Sequence, residues 1–176
     1  KFAEAVEWLN LALIAAGDDA PQRSRVLFLL GQAYEELGKP AEAVTALEEA
    51  HQLTPNDQDL LVQLINALTI ADRNDEAEAL ISSADLPAKE GAVLHFNLAV
   101  GLIPPKKFVD AERHLLKALE LSPGMAEAYR LLGEVSLGLN KRTEAIKAFE
   151  AYLAASPTAS DASDIRKVID AVKGRR

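Results

Sequence analysis

"AEAYRLLGEVSLGLNKRTEAIKAFEAYLAASPTA", residues 126–159, carries two helical patterns in one stretch. Tyr129, Leu132, Val135 and Leu139 recur at three- and four-residue spacing, which puts them on one face of a helix. The run "LNKRT" then reads as a polar turn. A second pattern follows through Ala145, Ile146, Phe149, Tyr152 and Leu153. It stops before Ser156-Pro157, because the residue ahead of a proline resists the α region. The stretch is a helix–turn–helix with apolar residues on more than one face. Such a hairpin cannot bury them alone, and stacking against another hairpin does.

The rest of the chain repeats this unit. Pro21, Pro55, Pro123 and Pro157 are separated by 34, 68 and 34 residues, and Lys89 stands where the missing member would fall. Ala43, Ala77, Ala111 and Ala145 keep the same period, as do Leu30, Leu64, Leu98 and Leu132. One register over four units, with no insertion, predicts repeats at 24–57, 58–91, 92–125 and 126–159. Gly31 and Gly133 fall at the eighth place of their units, with Ala99 between them. Small residues there, and the Ala43 series in the second helix, predict close approach of the paired backbones.

The ends extend the pattern. In "FAEAVEWLNLALIAA" (2–16), Phe2, Ala5 and Leu9 match Phe108, Ala111 and Leu115. Residues 1–20 are therefore expected to be the second helix of a truncated repeat, and the chain a C-terminal fragment of a longer one. Residues 160–173 keep Ile165, Val168, Ile169 and Val172 on one face and charges on the other, as a terminal capping helix requires. The closing "GRR" reads as a natural C-terminus. "GLIPPKKF" (101–108) looks like a linker, yet the register passes through it without a slip. Pro104 and Pro105 are expected to form the turn inside the third repeat, with Pro105 in the first turn of the next helix and Lys106 and Lys107 facing solvent. No domain boundary is expected there.

Composition bounds the function. The chain has 176 residues, 49% hydrophobic and 26% charged, which supports a packed fold. Apolar content rests on Leu and Ala, with 5% aromatics, which favours helix over a β-sandwich. The net charge of −8 opposes a phosphate backbone, so no nucleic-acid partner is expected. Absence of cysteine removes disulfides and thiolate metal sites and leaves the redox compartment open. Apolar runs such as Leu11–Ala16 are too short for direct membrane insertion, and no signal peptide is visible. The expected localisation is soluble, cytoplasmic or periplasmic. His51, His95 and His114 lie on different elements without ligand spacing, so no metal is expected. Adjacent carboxylates such as Asp18-Asp19, Glu35-Glu36 and Glu48-Glu49 do not face each other on a helix. No phosphate loop, dinucleotide fingerprint or nucleophile elbow occurs. The expectation is a chain that is not an enzyme, with no catalytic residues and no cofactor.

The sequence resembles the tetratricopeptide repeat. The period agrees, and so does the pattern W-x2-L-G-x2-Y…A-x3-F…P. Leu30-Gly31, Tyr34, Ala43, Ala50 and Pro55 fill its places in 27–55, as do Leu132-Gly133, Ala145, Phe149 and Pro157 in 129–157. The family's first-helix Trp is replaced by Leu27, Leu61, His95 and Tyr129. The resemblance implies an all-α, right-handed superhelical solenoid of antiparallel helix pairs, with first helices lining a concave, ligand-binding side. Carried over by place, the peptide-binding candidates are Arg25, Phe28, Gln32, Gln63, Asn66, Phe96, Asn97, Arg130 and Glu134. Gln63, Asn66 and Asn97 both donate and accept, and suit the amides of an extended peptide. For Phe28 and Phe96, ligand contact and packing between repeats both stay open. Arg25 and Arg130 suit an acidic residue or a C-terminal carboxylate. The chaperone-binding members of the family clamp a terminal carboxylate with Lys, Arg and Asn. With Asn66 and Asn97 in register, Val62, Glu127 and Leu131 stand where cations would be needed, so recognition of chaperone tails is not expected.

The implied function is a non-catalytic protein–protein interaction scaffold binding a peptide or helix of a partner on its concave side. The alternatives are a recruiting arm of a larger enzyme or secretion or assembly machine, and a self-assembly module. Trp8 on the first helix leaves a homodimer through the open N-terminal end open.

Overall fold

Ten helices and no strand make up the described residues, 1–174, of the computed structural model. Arg175 and Arg176 of the closing "GRR" lie outside the described residues. The chain divides into two compact units, Lys1–Asp85 and Leu86–Arg176. The division falls at Asp85–Leu86, not at the double proline. Ala84 and Pro87 there are extended, with ψ of 141° at each.

The first unit contains α1 (Phe2–Ala15), α2 (Ala20–Glu36), α3 (Pro40–Leu53), α4 (Gln58–Ile70) and α5 (Asn74–Ser83). The second contains α6 (Ala88–Leu102), α7 (Phe108–Leu121), α8 (Ala126–Gly138), α9 (Arg142–Ala155) and α10 (Ala162–Gly174). Within each unit every helix packs on the next in sequence. Short polar connections turn the chain back on itself, giving the stacked antiparallel hairpins of a solenoid architecture.

Helix starts follow from local chemistry. The Asp19 side chain accepts a hydrogen bond from the Gln22 backbone N–H at 3.1 Å, and Asp57 accepts from that of Leu60 at 3.1 Å. Each satisfies one donor that the first helical turn leaves unpaired, worth about 1 kcal/mol. The second helix of each hairpin starts differently. Lys39, Arg73, Lys107 and Lys141 stand at its N-cap, and none of their side chains caps. A cation there opposes the helix dipole. Glu42, Glu76, Asp110 and Glu144 in the first turns supply the compensating negative charge, again at the 34-residue period. Arg73 closes a fork on Glu76, with Nε–Oε1 and Nη2–Oε2 both at 2.6 Å, and also reaches Glu48 of α3 at 2.8 Å.

The turn inside each hairpin shows the period in the backbone itself. Gly38, Asp72, Lys106 and Asn140, each 34 residues from the next, have φ of 67°, 57°, 61° and 60°. The following N–H then reaches back five residues: Lys39 to the Tyr34 carbonyl, Arg73 to Leu68, Lys107 to Leu102 and Lys141 to Ser136, at 2.8–3.0 Å. This is the Schellman closure of a helix C-terminus, which needs one left-handed residue. It also corrects one expectation. Pro104 and Pro105 lie in the turn, but α7 begins only at Phe108, so Pro105 is not in its first turn. Lys106 takes the left-handed place and Lys107 the N-cap, and both side chains are exposed.

Packing inside the hairpins rests on the small residues. A Cβ on Gly31 would lie 2.6 Å from Leu47 Cγ, and one on Gly133 would lie 2.5 Å from Phe149 Cε1. Ala43, Ala77, Ala111 and Ala145 are fully buried. In the second unit, Ile165 and Ile169 of α10 join Phe149 and Tyr152 in one core cluster, and the Tyr152 hydroxyl donates to Asp161.

Candidate functional site

In the first unit, α2 sends Arg25, Phe28, Leu29, Gln32 and Glu35 along one stripe, at the three- and four-residue steps that share a helix face. The structure splits this stripe between two hollows. Arg25 and Phe28 line one of about 410 Å³, together with Asp57 and Asp59. Gln32 lines the other, of about 610 Å³, together with Gln63 of α4. Asn66 lines neither and is half-buried.

The larger hollow is an open groove whose apolar wall comes from α1. Phe2, Trp8 and Leu9 line it on that side, and Leu29 and Ala33 on the α2 side. Trp8 is 72% exposed and Leu29 43%. Glu35 and Glu36 are its charged groups, and no Lys, Arg or His is among its lining residues. The Gln63 amide Nε2 donates to Glu35 Oε2 at 2.7 Å. Glu35 Oε1 is buried and has no hydrogen-bond partner. Burial holds the Glu35 carboxyl above its ordinary 4.5; the Gln63 bond opposes the rise, and the neighbouring Glu36 charge adds to it. The groove thus joins an apolar floor to a carboxylate with one unused acceptor.

In the second unit, Phe96 and Asn97 stand half-buried on α6, and Arg130 and Glu134 stand on α8. Arg130 Nη1 pairs with Glu134 Oε1 at 2.5 Å, one helical turn away. These two opposite charges therefore answer each other before any ligand arrives.

Two features escape sequence reading. The first is the part α1 plays: Trp8 reads as an end-exposed residue, yet it forms a wall of the groove with Gln32 and Gln63. The second is a histidine pair. His95 of α6 and His114 of α7 are both buried, their Nδ1 atoms 3.1 Å apart and their rings stacked at 5.3 Å. Their separation of 19 residues carries no helical signal; only the hairpin brings them together. Among the described residues no group of three or more His, Cys, Asp or Glu side chains is gathered in metal-holding geometry. No described helix is long and apolar enough to cross a membrane.

Tetratricopeptide-repeat family models match residues 1–56, 34–95 and 107–160. The chain belongs to the tetratricopeptide-repeat family. The first match lies wholly in the first unit and the third wholly in the second. Among curated relatives, the Hsp70-Hsp90 organizing protein of Triticum aestivum is 34% identical over 93 residues, which is 53% of this chain and 16% of that protein. The match thus spans a small part of the relative's length. Three solved tetratricopeptide-like folds illustrate the structural likeness. MamA is 21% identical with a TM-score of 0.68, covering 89% of this chain and 83% of its own. YrrB, described as a TPR protein with an unusual peptide-binding site, is 18% identical with a TM-score of 0.67, covering 94% and 84%. PilW, a type IV pilus biogenesis factor, is 16% identical with a TM-score of 0.68, covering 98% and 79%. At these identities the likeness is one of fold.

Proposed function

We propose that the chain is a non-catalytic scaffold that holds a peptide or helix of a partner protein on the face made by its first helices. The repeats would run 24–57, 58–91, 92–125 and 126–159, with α1 ahead of them and α10 as a cap. One observation carries the reading: on the first helices α2 and α4, the groove of the first unit leaves Leu29 open to solvent beside the amides of Gln32 and Gln63. Large apolar side chains beside groups that both donate and accept are what a peptide-binding surface needs. The peptide-binding site named for YrrB and the organising role named for the wheat protein are consistent with this reading. Glu127, standing where a carboxylate clamp would need a cation, argues against chaperone tails as the ligand.

The test is quantitative pull-down from the source cells. Gln32→Ala with Gln63→Ala, and separately Leu29→Asp, should each weaken recovery of the same partner while circular dichroism stays native. Unchanged recovery by natively folded variants contradicts the assignment of the face.

A second reading has its own observation. Trp8, Leu11 and Ile14 of α1 are 72%, 57% and 77% exposed, an apolar surface suited to self-association. Light scattering showing a concentration-independent monomer excludes it.

A further inference from the structure

We propose that α6 docks an amphipathic helix of the partner, with large apolar side chains packed along Val93, Phe96 and Val100 and a lysine or arginine set on Glu127. This rests on the scaffold reading above and names the form and chemistry of a ligand for the second unit. The first helices share one register, so their outward places compare at steps of 34 residues. α2 carries Arg25, Phe28 and Gln32 there, α4 carries Asp59, Val62 and Asn66, and α8 carries Glu127, Arg130 and Glu134. Of these four helices only α6 has three apolar residues at those places. Val93 and Val100 are 42% and 44% exposed, with half-buried Phe96 between them. Spaced i, i+3 and i+7, the three form one apolar stripe about 10 Å long on a single helix face.

The stripe selects the form of its ligand. An extended segment needs partners for its backbone amides, whereas a helix pairs its own. Val93, Phe96 and Val100 have no side-chain donor or acceptor, and the neighbouring Asn97 is already engaged within the chain. A helix with an apolar face loses nothing on such a surface and buries its own stripe there. The flanking helix α8 selects the charge. Glu127, at the place of Val93, is exposed and has no ion-pair partner among the described residues. Glu134, at the place of Val100, is already held by Arg130 at 2.5 Å. The uncompensated charge is therefore negative and lies at the Val93 end. The net charge of −8 further favours approach of a cationic segment.

The experiment selects a display library of helix-forming peptides of about 18 residues, long enough to be helical alone, on the whole chain. Winners are measured on wild type, Val93→Asp, Val100→Asp, Glu127→Gln and Leu29→Asp. The expected winners carry Leu, Ile or Phe at i, i+3 and i+7, with Lys or Arg at the end that meets Val93. Each valine variant should bind them roughly tenfold or more weakly. Glu127→Gln should bind them about twofold to fivefold more weakly, a loss that added salt removes. Leu29→Asp should bind them as the wild type does, and a proline placed mid-peptide should abolish binding. Winners that tolerate both valine variants, or that survive the proline, overturn the inference. If those same winners fail on Leu29→Asp, they belong to the first unit and the scaffold reading stands. Acidic winners, or equal binding to Glu127→Gln, contradict the assignment of the cation and overturn it too. No winner from this library sinks the inference, and the scaffold reading falls with it if shorter, unstructured peptides also fail to bind. Self-association of the chain that Val100→Asp abolishes gives the stripe to a second copy and rules the proposal out. Circular dichroism and urea unfolding of each variant exclude misfolding as the cause of any loss.

Discussion

Gly133 lies directly against the ring of Phe149: a Cβ added to it would fall 2.5 Å from Cε1 and 2.6 Å from Cδ1. The neighbouring atoms belong to a stiff aromatic ring that is 1% exposed, so it has nowhere to move. Gly133→Ala gains helix propensity but overpacks the α8–α9 contact. Overpacking wins, at about 1–3 kcal/mol, against the ~1 kcal/mol that propensity returns. Gly31→Ala meets the more flexible Leu47 side chain and should cost less than Gly133→Ala. Urea unfolding of the two variants gives the order.

The left-handed place of the hairpin turns offers a stabilising change. Lys106 holds φ of 61°, at a cost of about 1–2 kcal/mol for a residue with a Cβ. Lys106→Gly should raise stability by up to about 1 kcal/mol, while Gly38→Ala should lower it by a similar amount. Thermal unfolding of the two single variants reads both signs.

Glu35 predicts a pH dependence. Its folded carboxyl binds a proton more tightly than an ordinary glutamate at 4.5, because burial disfavours the charge. The folded state then takes up the proton more readily than the unfolded one. Wild-type stability from this group is greatest below the ordinary value and is lost as pH rises through the higher, folded one. Glu35→Gln lacks that loss. It should match or exceed the wild type near neutral pH, with the difference shrinking as pH falls below the glutamate range. Urea midpoints across pH compare the two directly.

His95 and His114 form a coupled pair. At 3.1 Å, one Nδ1 donates and the other accepts. The same two places hold Leu27 with Ala46, Leu61 with Leu80 and Tyr129 with Ala148; in the first and last of these pairs a large residue stands against a small one. His114→Ala alone removes the Nδ1 contact of buried His95 and leaves a gap beside its ring, and should cost about 1–3 kcal/mol. Adding His95→Tyr restores the large-and-small arrangement, and the double variant should be more stable than the sum of the singles predicts. A double-mutant cycle by urea unfolding measures that coupling.

The period made the helices legible, because alanine and leucine kept one register across all four repeats and proline across all but one of its places. It also pointed to Gly31 and Gly133 as contact points, since nothing larger fits beneath Leu47 and Phe149. The turn geometry was hidden: its left-handed place holds Gly38, Asp72, Lys106 and Asn140, and only one of these announces the conformation. That is also why Pro105 seemed to open α7, when Lys106 and Lys107 complete the turn first. The division at Asp85–Leu86 left one trace, the absent proline at Lys89. Of the candidate residues, Gln32 and Gln63 meet in one groove, while Arg25 and Phe28 stand in another. The apolar wall from α1 and the Glu35–Gln63 bond were out of reach, because side-chain partners on different helices leave no spacing to read.

Trp8 emission on titration with a peptide too short to form a helix, selected on the chain from a random display library, tests the central claim most directly. If the first-unit groove is the binding surface, emission changes saturably in the wild type, and Leu29→Asp abolishes both the change and the binding. Tight binding that leaves Trp8 emission untouched and survives Leu29→Asp contradicts the account.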